Sequence, residues 1–475
     1  MTDWQPVIGL EVHVQLSTRT KLFCDCANAF GTLANSNTCP ICAGHPGVLP
    51  VPNEQALLLG VRAALALGCD VQPFSKFDRK HYFYPDLPKG YQISQYDLPF
   101  ALNGSVDLGD GRRIDLERIH WEEDAGKSTH EAGYSLVDLN RCGVPLIEIV
   151  GKPNLHSPAD AHAFLDSLKR TLRYATVSTC DMEKGSLRCD ANVSLRRTSD
   201  APLGTKVEIK NVNSFKMVER ALDFELARQA AILDSGATVA QETRLWDEAR
   251  GETRSMRSKE EAMDYRYFPE PDIPPIELAT STIDAQRELV AESWQTRRHR
   301  YESAGLTAYD ASVLTAEPDI ADYFEATWQA CDDAKQAANW TQTDVLRAAG
   351  ERGVGIAELR VRPNTLAEII GLVQSGLINF AGARKVFNRI LDANDGPCET
   401  PAEAVVALGV AQISDPHLLE PIVREVMGAC EKAVADYRKG KTKALDALKG
   451  RIMGKTKGRA DPAVVGEILT RLLSP

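Results

Sequence analysis

Over the first 275 residues, apolar and polar positions alternate in short runs broken by Gly and Pro. The runs 7–15, 105–107, 113–120, 135–140, 146–150, 186–196 and 205–210 carry the period of two that predicts half-buried strands. Two stretches switch to helical spacing. Residues 158–175 open on Pro158 and repeat Phe164, Leu165, Leu168 and Leu172 on one face; residues 214–233 are the second. Such a mixture predicts an α+β domain built on an antiparallel or mixed sheet. Phe268-Pro-Glu-Pro-Asp-Ile-Pro-Pro275 then stops both patterns, because proline continues neither a helix nor a central strand. Beyond it the pattern is helical. Leu366, Ile369, Ile370 and Val373 lie at i, i+3, i+4, i+7, and so do Leu419, Ile422, Val423 and Val426. Asp395-Gly-Pro-Cys-Glu-Thr-Pro401 reads as a second linker. Three domains are therefore expected: a mixed or antiparallel sheet domain over 1–292, an all-α domain over 293–398 and a small all-α tail over 399–475.

Composition alters this picture mainly through charge. With 43% hydrophobic and 25% charged residues, the 475-residue chain is ordinary globular material and not a disordered one. Its 55 basic and 66 acidic residues leave −11, which excludes coating nucleic acid by bulk positive charge. The charge is polarised, however. Residues 431–475 hold eleven basic against five acidic side chains, a local +6, leaving −17 for residues 1–430. No run approaches the ~18 apolar residues of a membrane span. Met1-Thr-Asp-Trp-Gln-Pro also lacks the basic and apolar regions of a signal peptide, so a cytoplasmic protein with no membrane partner is expected.

Four of the eleven cysteines crowd into Cys24-Asp-Cys26 and Cys39-Pro-Ile-Cys42. Two close pairs separated by a loop suit a closed tetrahedral thiolate site, hence structural zinc. The alternatives are a redox-active Cys39–Cys42 pair, which leaves Cys24 and Cys26 idle, or four reduced buried thiols. A second constellation consists of polar pairs at i, i+2 on strands: Glu11-Val-His13, Asp190-Ala-Asn192 and Glu208-Ile-Lys210. Each pair shares one strand face. Glu122, Glu123 and Asp124 add carboxylates at a strand end, and such oxygen-rich sets with an imidazole suit a hard cation, Mg2+ above all. A solvated sheet face with ordinary salt bridges is the plainer reading. From Lys76 to Gln95, cations alternate with aromatics (Lys80, Tyr82, Lys89, Tyr91), a composition for stacking bases and neutralising phosphates, or else a Pro- and Tyr-rich surface loop. Gly450-Arg-Ile-Met-Gly454-Lys455-Thr456 has three residues between its glycines where a P-loop needs four, and no Gly-x-Gly-x-x-Gly or Gly-x-Ser-x-Gly occurs. Any ATP site is thus neither P-loop nor Rossmann, and no amide-cleaving nucleophile motif is visible.

Ile8-Gly-Leu-Glu11-Val-His13-Val-Gln15-Leu, Lys80-His-Tyr-Phe-Tyr-Pro-Asp-Leu-Pro-Lys89-Gly-Tyr, Val137-Asp-Leu-Asn-Arg141-Cys-Gly-Val-Pro-Leu-Ile-Glu148-Ile and Tyr265-Arg-Tyr-Phe-Pro-Glu-Pro-Asp272 together closely resemble the GatB family, the B subunits of aspartyl/glutamyl-tRNA(Asn/Gln) amidotransferases. Lys455-Thr-Lys-Gly-Arg-Ala-Asp-Pro462 resembles the family's YqeY-like tail, so the likeness spans essentially the whole chain. The resemblance implies a "cradle" catalytic domain and a GatCAB heterotrimer, with an amidase (GatA) and a small third chain (GatC) as partners. It implies an ATP-dependent carbon–nitrogen ligase with glutamine as amido donor, acting on mischarged tRNA(Gln), tRNA(Asn) or both. On this likeness, Glu11, His13, Glu122, Glu123, Asp190, Glu208 and Lys210 form the catalytic pocket, with Glu11, His13, Glu123 and Glu208 on Mg2+. Lys80, Tyr82, Lys89, Ser94, Arg141 and Asn192 would meet nucleotide or substrate, Lys89, Arg141 or Lys210 facing phosphates, while Cys24, Cys26, Cys39 and Cys42 hold zinc. The tail would grip the tRNA. The competing expectation is a non-catalytic, zinc-stabilised tRNA-binding scaffold whose carboxylates are structural.

Overall fold

Apolar residues at every second position turn one face of strand Gln5–Gln15 inward: Leu10, Val12 and Val14 are fully buried, while Glu11, His13 and Gln15 between them stay partly exposed. That strand is the middle of the N-terminal half. The computed structural model describes residues 4–258, 265–393, 399–439 and 441–474, and the chain divides into two units, Met1–Thr296 and Arg297–Pro475.

The first unit is organised by a ten-stranded sheet. Its order is Glu252–Ser258, Glu242–Asp247, Val207–Val212, Leu187–Arg196, Gln5–Gln15, Pro145–Gly151, Arg113–Glu123, Ala101–Leu102, Asp70–Val71, with Ser105–Asp107 pairing beside Arg113–Glu123. Every pairing is antiparallel except that of Val207–Val212 with Glu242–Asp247, so the sheet is mixed. The two strands 242–247 and 252–258 were not among the expected runs.

Helices cover the apolar face. Helix α1 runs Glu54–Ala66, α2 Pro158–Tyr174 and α3 Phe215–Asp234. Asn53, Ser157 and Ser214 cap them, each accepting from the backbone N–H three residues on. Phe164, Leu165, Leu168 and Leu172 of α2, with Val218 and Leu222 of α3, bury against Leu10, Val12, Val14 and Val193 in one continuous core. Helix α1 corrects the expectation of only two helices. Its sequence, Glu54-Gln-Ala-Leu-Leu-Leu-Gly-Val-Arg-Ala-Ala-Leu-Ala66, is apolar on nearly every side and hides the 3.6-residue period. A smaller three-stranded sheet joins Asp78–His81 to Tyr91–Ser94 and to Phe268–Pro269, where the proline-rich segment serves as an edge strand.

The second unit is helical. Leu366, Ile369 and Ile370 bury in one core with Trp340 and Phe387. Leu419, Val423 and Val426 of Pro416–Ala429 bury in another with Leu448, Ile452 and Ile468, as the helical period predicts. Residues 395–398 of the expected second linker lie outside the described residues.

Trp121, fully buried, stacks on Phe100 at 3.8 Å and 16° and packs against Phe77 at 6.3 Å. Its indole fills the space where a Cβ on Gly60 of α1 would stand. Helix propensity alone would make Gly60→Ala stabilising by about 1 kcal/mol. Overpacking against a ring that cannot retreat reverses the sign, so Gly60→Ala should destabilise the sheet unit by about 1–3 kcal/mol, read as a lower urea midpoint of tryptophan fluorescence.

Candidate functional site

Strand pairing sets the uncovered face of the sheet. His13 lies opposite Glu148 on one neighbour and Arg188 on the other, and Glu148 lies opposite His120. His120, Glu148, His13 and Arg188 therefore form one row across four strands, alternating imidazole, carboxylate, imidazole and guanidinium. His120 Nε2 stands 3.1 Å from Glu148 Oε2, and His13 Nε2 stands 3.6 Å from it. Glu122, two residues beyond His120 and so on the same face, brings Oε1 to 3.4 Å from His13 Nε2. Beside this row, Glu11 lies opposite Asp190 and Asn192 opposite Glu208. Asn192 Nδ2 donates to Glu11 Oε1 at 2.9 Å, Lys210 Nζ pairs with Asp190 at 2.6 Å, and Thr243 Oγ1 donates to Glu208 at 2.8 Å. Arg188 reaches Asp124 at 2.9 Å.

Burial governs the protonation of this cluster. Burial, with Glu148 alongside, pushes the Glu122 carboxyl up to about 8. Burial works to raise Glu148 as well, but the His120 and His13 imidazoles hold it well below the usual carboxylate range. Burial also lowers His13. Two carboxyls and an imidazole gathered in this way match the donor set of a divalent cation, which would draw both carboxyls into the ionised form. His13, Glu122 and Glu148 offer ligand atoms within 4.8 Å of one another. Cis ligands of a six-coordinate ion at ~2.1 Å lie ~3.0 Å apart, so His13 at 3.4 Å from Glu122 and 3.6 Å from Glu148 would need each of these two pairs to close by about 0.5 Å.

The four groups expected on Mg2+ do not converge in this way. Among the described residues only His13/Glu122/Glu148 and the four cysteines form a group this tight. Glu123 is separated by strand alternation: it points with Trp121 to the opposite face, where it pairs with Lys89 and accepts from Ile93 N at 3.0 Å. Lys89 is thereby occupied by Glu123. Arg141 donates to the carbonyls of Ala125 at 2.9 Å and Gly126 at 2.6 Å, holding a turn, and lies 3.4 Å from Asp124. Ser94 is buried opposite Asp78. Tyr82 is placed with its hydroxyl 3.5 Å from Gln92 Oε1. Lys80 makes no ion pair with a carboxylate among the described residues; its ammonium lies over the Tyr265 ring at 4.9 Å. Burial acts to lower Lys80, but Tyr267, Glu122 and Glu148 outweigh it and hold it charged. Glu148, His120 and Arg188 were absent from the expected site, although His120-Trp-Glu122 and Arg188-Cys-Asp190 carry the same i, i+2 signal as Glu11-Val-His13.

The cysteines form the second centre. Cys42 Sγ lies 3.4 Å from Cys24, 3.6 Å from Cys39 and 3.7 Å from Cys26. Tetrahedral zinc at ~2.3 Å from each sulfur requires ~3.8 Å between sulfurs, whereas a disulfide requires ~2.05 Å. The donor set therefore fits zinc. A hydrogen bond from Cys24, against the opposing effect of burial, draws the Cys42 thiol down to about 4, and burial pushes Cys26 up to about 11. The centre is anchored to the rest of the unit by Asn35, whose N–H donates to Asp138 at 3.0 Å, and by Asn37, whose N–H donates to Asn140 at 2.9 Å. No described helix is long and apolar enough to cross a membrane.

Residues 6–284 match the GatB/GatE catalytic domain, and residues 322–473 match the GatB domain. The B subunit of the aspartyl/glutamyl-tRNA(Asn/Gln) amidotransferase from Carboxydothermus hydrogenoformans is 47% identical over 99% of this chain and 98% of its own. Those of Moorella thermoacetica and Thermotoga maritima are 47% and 45% identical, each over 99% of this chain and 100% and 99% of theirs. The polar sheet face with its His13/Glu122/Glu148 group lies wholly inside the catalytic-domain match, and by that match and these identities the chain belongs to the GatB/GatE family.

Proposed function

We propose that this chain is the GatB component of a tRNA-dependent amidotransferase, and that its sheet unit carries the ATP-dependent step that turns mischarged Glu-tRNA(Gln), Asp-tRNA(Asn) or both into the amide form. The observation that carries the reading is the His120–Glu148–His13–Arg188 row with Glu122 beside it. A carboxylate is a poor electrophile. Attack of the aminoacyl side-chain oxygen on the γ-phosphorus of ATP, with release of ADP, makes it an acyl phosphate, and ammonia then displaces phosphate to give the amide. His13, Glu122 and Glu148 would hold Mg2+, which when bound offsets the charge on the transferring phosphoryl group. Lys80, charged and free of carboxylate ion pairs among the described residues, suits a phosphate oxygen. Asp190 and Glu208, paired with Lys210, would keep its ammonium fixed at the edge of the same face. Glu11, held by Asn192, lies in the adjoining row.

The lack of an amide-cleaving nucleophile motif supports a division of labour in which a partner amidase hydrolyses glutamine and supplies ammonia through an internal channel. A small third chain would complete a cytoplasmic heterotrimer. The four cysteines would hold zinc structurally, since four protein thiolates leave no open position. In the tail, Lys441, Lys455 and Arg471 form ion pairs with described carboxylates, whereas Lys432, Lys439, Lys443, Lys449 and Lys457 form none among the described residues. That uncompensated charge suits the backbone of a tRNA read by shape.

Three outcomes test the reading. In a reconstituted complex, Glu148→Gln should lower ATP-dependent amidation by roughly 100-fold or more while glutaminase activity of the partner survives; a tolerated substitution would favour the scaffold reading. Elemental analysis should find one zinc per chain, lost in the Cys39→Ser/Cys42→Ser variant. Changing Lys439, Lys443 and Lys457 to Ala should weaken tRNA binding and flatten its salt dependence by roughly 1 in slope per lost phosphate contact, and unchanged affinity would remove the tail from the interface.

A further inference from the structure

We propose that Lys21 is the built-in counter-charge of the four-cysteine centre and sets how tightly that centre retains zinc; the proposal rests on the zinc reading above. Lys21 is 0% exposed. Lysine is almost never fully buried without an anionic partner, because a desolvated ammonium is costly unless an opposite charge compensates it. Its Nζ donates to the Asn37 carbonyl at 2.9 Å and to Cys42 Sγ at 3.4 Å, and among the described residues it makes no ion pair with a carboxylate. A carbonyl bears no net charge, so with zinc bound the Cys42 thiolate would be the anion that faces it.

The geometry is built, not incidental. Lys21 N donates to the carbonyl of Cys26, itself a ligand residue, and Leu22 N donates to Gly143 O, so the backbone on both sides of the side-chain root is fixed. Asn37, the other acceptor, is fixed by Asn140 and by its own amide to the Ala27 carbonyl. The ammonium therefore reaches the thiolate cage from a rigidly held stem.

Chemistry supplies the consequence. Zinc with four thiolates carries a net charge of −2 in a poorly solvated pocket, and an ammonium in contact brings the assembly to −1. An N–H donor on Cys42 Sγ stabilises the thiolate against competing protons, and so favours the metal-bound form. Packing alone would not need the charge, because replacing a buried ionic group by an apolar one of similar shape is often neutral.

The test uses the full-length, zinc-loaded chain in competition with a chromophoric chelator. Lys21→Met keeps length and removes charge; it should release zinc to the chelator roughly 10–100-fold more readily than wild type, the range for losing a group that hydrogen-bonds a metal ligand. Equal retention by Lys21→Met and wild type would overturn the proposal while leaving the zinc site intact. Absence of zinc from the wild type would instead overturn the zinc reading itself. If Lys21→Met does not fold, amine acylation of the wild type decides. Lys21 protected when zinc is bound and labelled once the chelator has removed it supports the role; equal labelling in both states overturns it.

Discussion

Strand alternation is the constraint on which the rest of this protein depends. Because successive side chains leave a strand on opposite faces, a chain that buries Leu10, Val12 and Val14 under α2 and α3 must present Glu11, His13 and Gln15 on the other side. The antiparallel register then aligns what each neighbour presents, and His120, Glu148, His13 and Arg188 fall into one line. A line of like charges there would repel across ~5 Å, and the row avoids it by setting the Glu148 carboxylate between two imidazoles. Glu122 stands in the same crowd as Glu148, its carboxyl pushed up by burial and by that neighbour, and there the ligand atoms gather closely enough to suit a cation. Apolar packing on one face is thus what fixes the polar geometry on the other.

The same constraint separates neighbours in sequence. Glu122 and Glu123 are adjacent, yet one joins the polar row and the other turns toward Lys89 and the backbone of Ile93. The second role is architectural. Gly44, at φ +67°, lets the cysteine loop lie against the Lys89 backbone, where a Cβ would come within 3.0 Å. Arg141 ties the 124–126 turn, and Asp124 in that turn receives Arg188 from the row. The cysteine centre, Lys89–Glu123 and the end of the row are therefore linked through a few short loops.

What could be read from the sequence follows from which signals are local. The i, i+2 pairs point to a polar strand face, since period two needs only one strand. Which pairs meet depends on register across four strands, and register is a property of the assembled sheet. Glu148 illustrates the gap: a lone carboxylate in the apolar run Pro145-Leu-Ile-Glu-Ile-Val150 is conspicuous locally, but its partners His120 and His13 lie 28 and 135 residues away. The cysteine cluster was legible because two Cys pairs on one loop need no register at all. Helix α1 was not, because apolar residues on nearly every side erase the amphipathic stripe, and Gly60, which looks like a helix weakness, is there to admit Trp121.

A sheet face also dictates the kind of ligand chemistry available. In a glycine-rich loop at a helix N-terminus, free backbone N–H groups cradle phosphate. Here the backbone groups of the central strands are spent on the ladder between neighbours, so a ligand on this face meets side chains alone. Side chains that must both bind a polyanion and avoid collapsing onto one another have to be charged, of both signs and individually restrained. That is the composition found: Lys210 held by Asp190 and Glu208, Arg188 by Asp124, Glu11 by Asn192, with Lys80 left for something else. The near-miss Gly450–Thr456 P-loop and the missing Rossmann turn are then not deficiencies. A phosphate ligand on this face would need neither motif, because it would meet strand side chains instead of a glycine-rich turn.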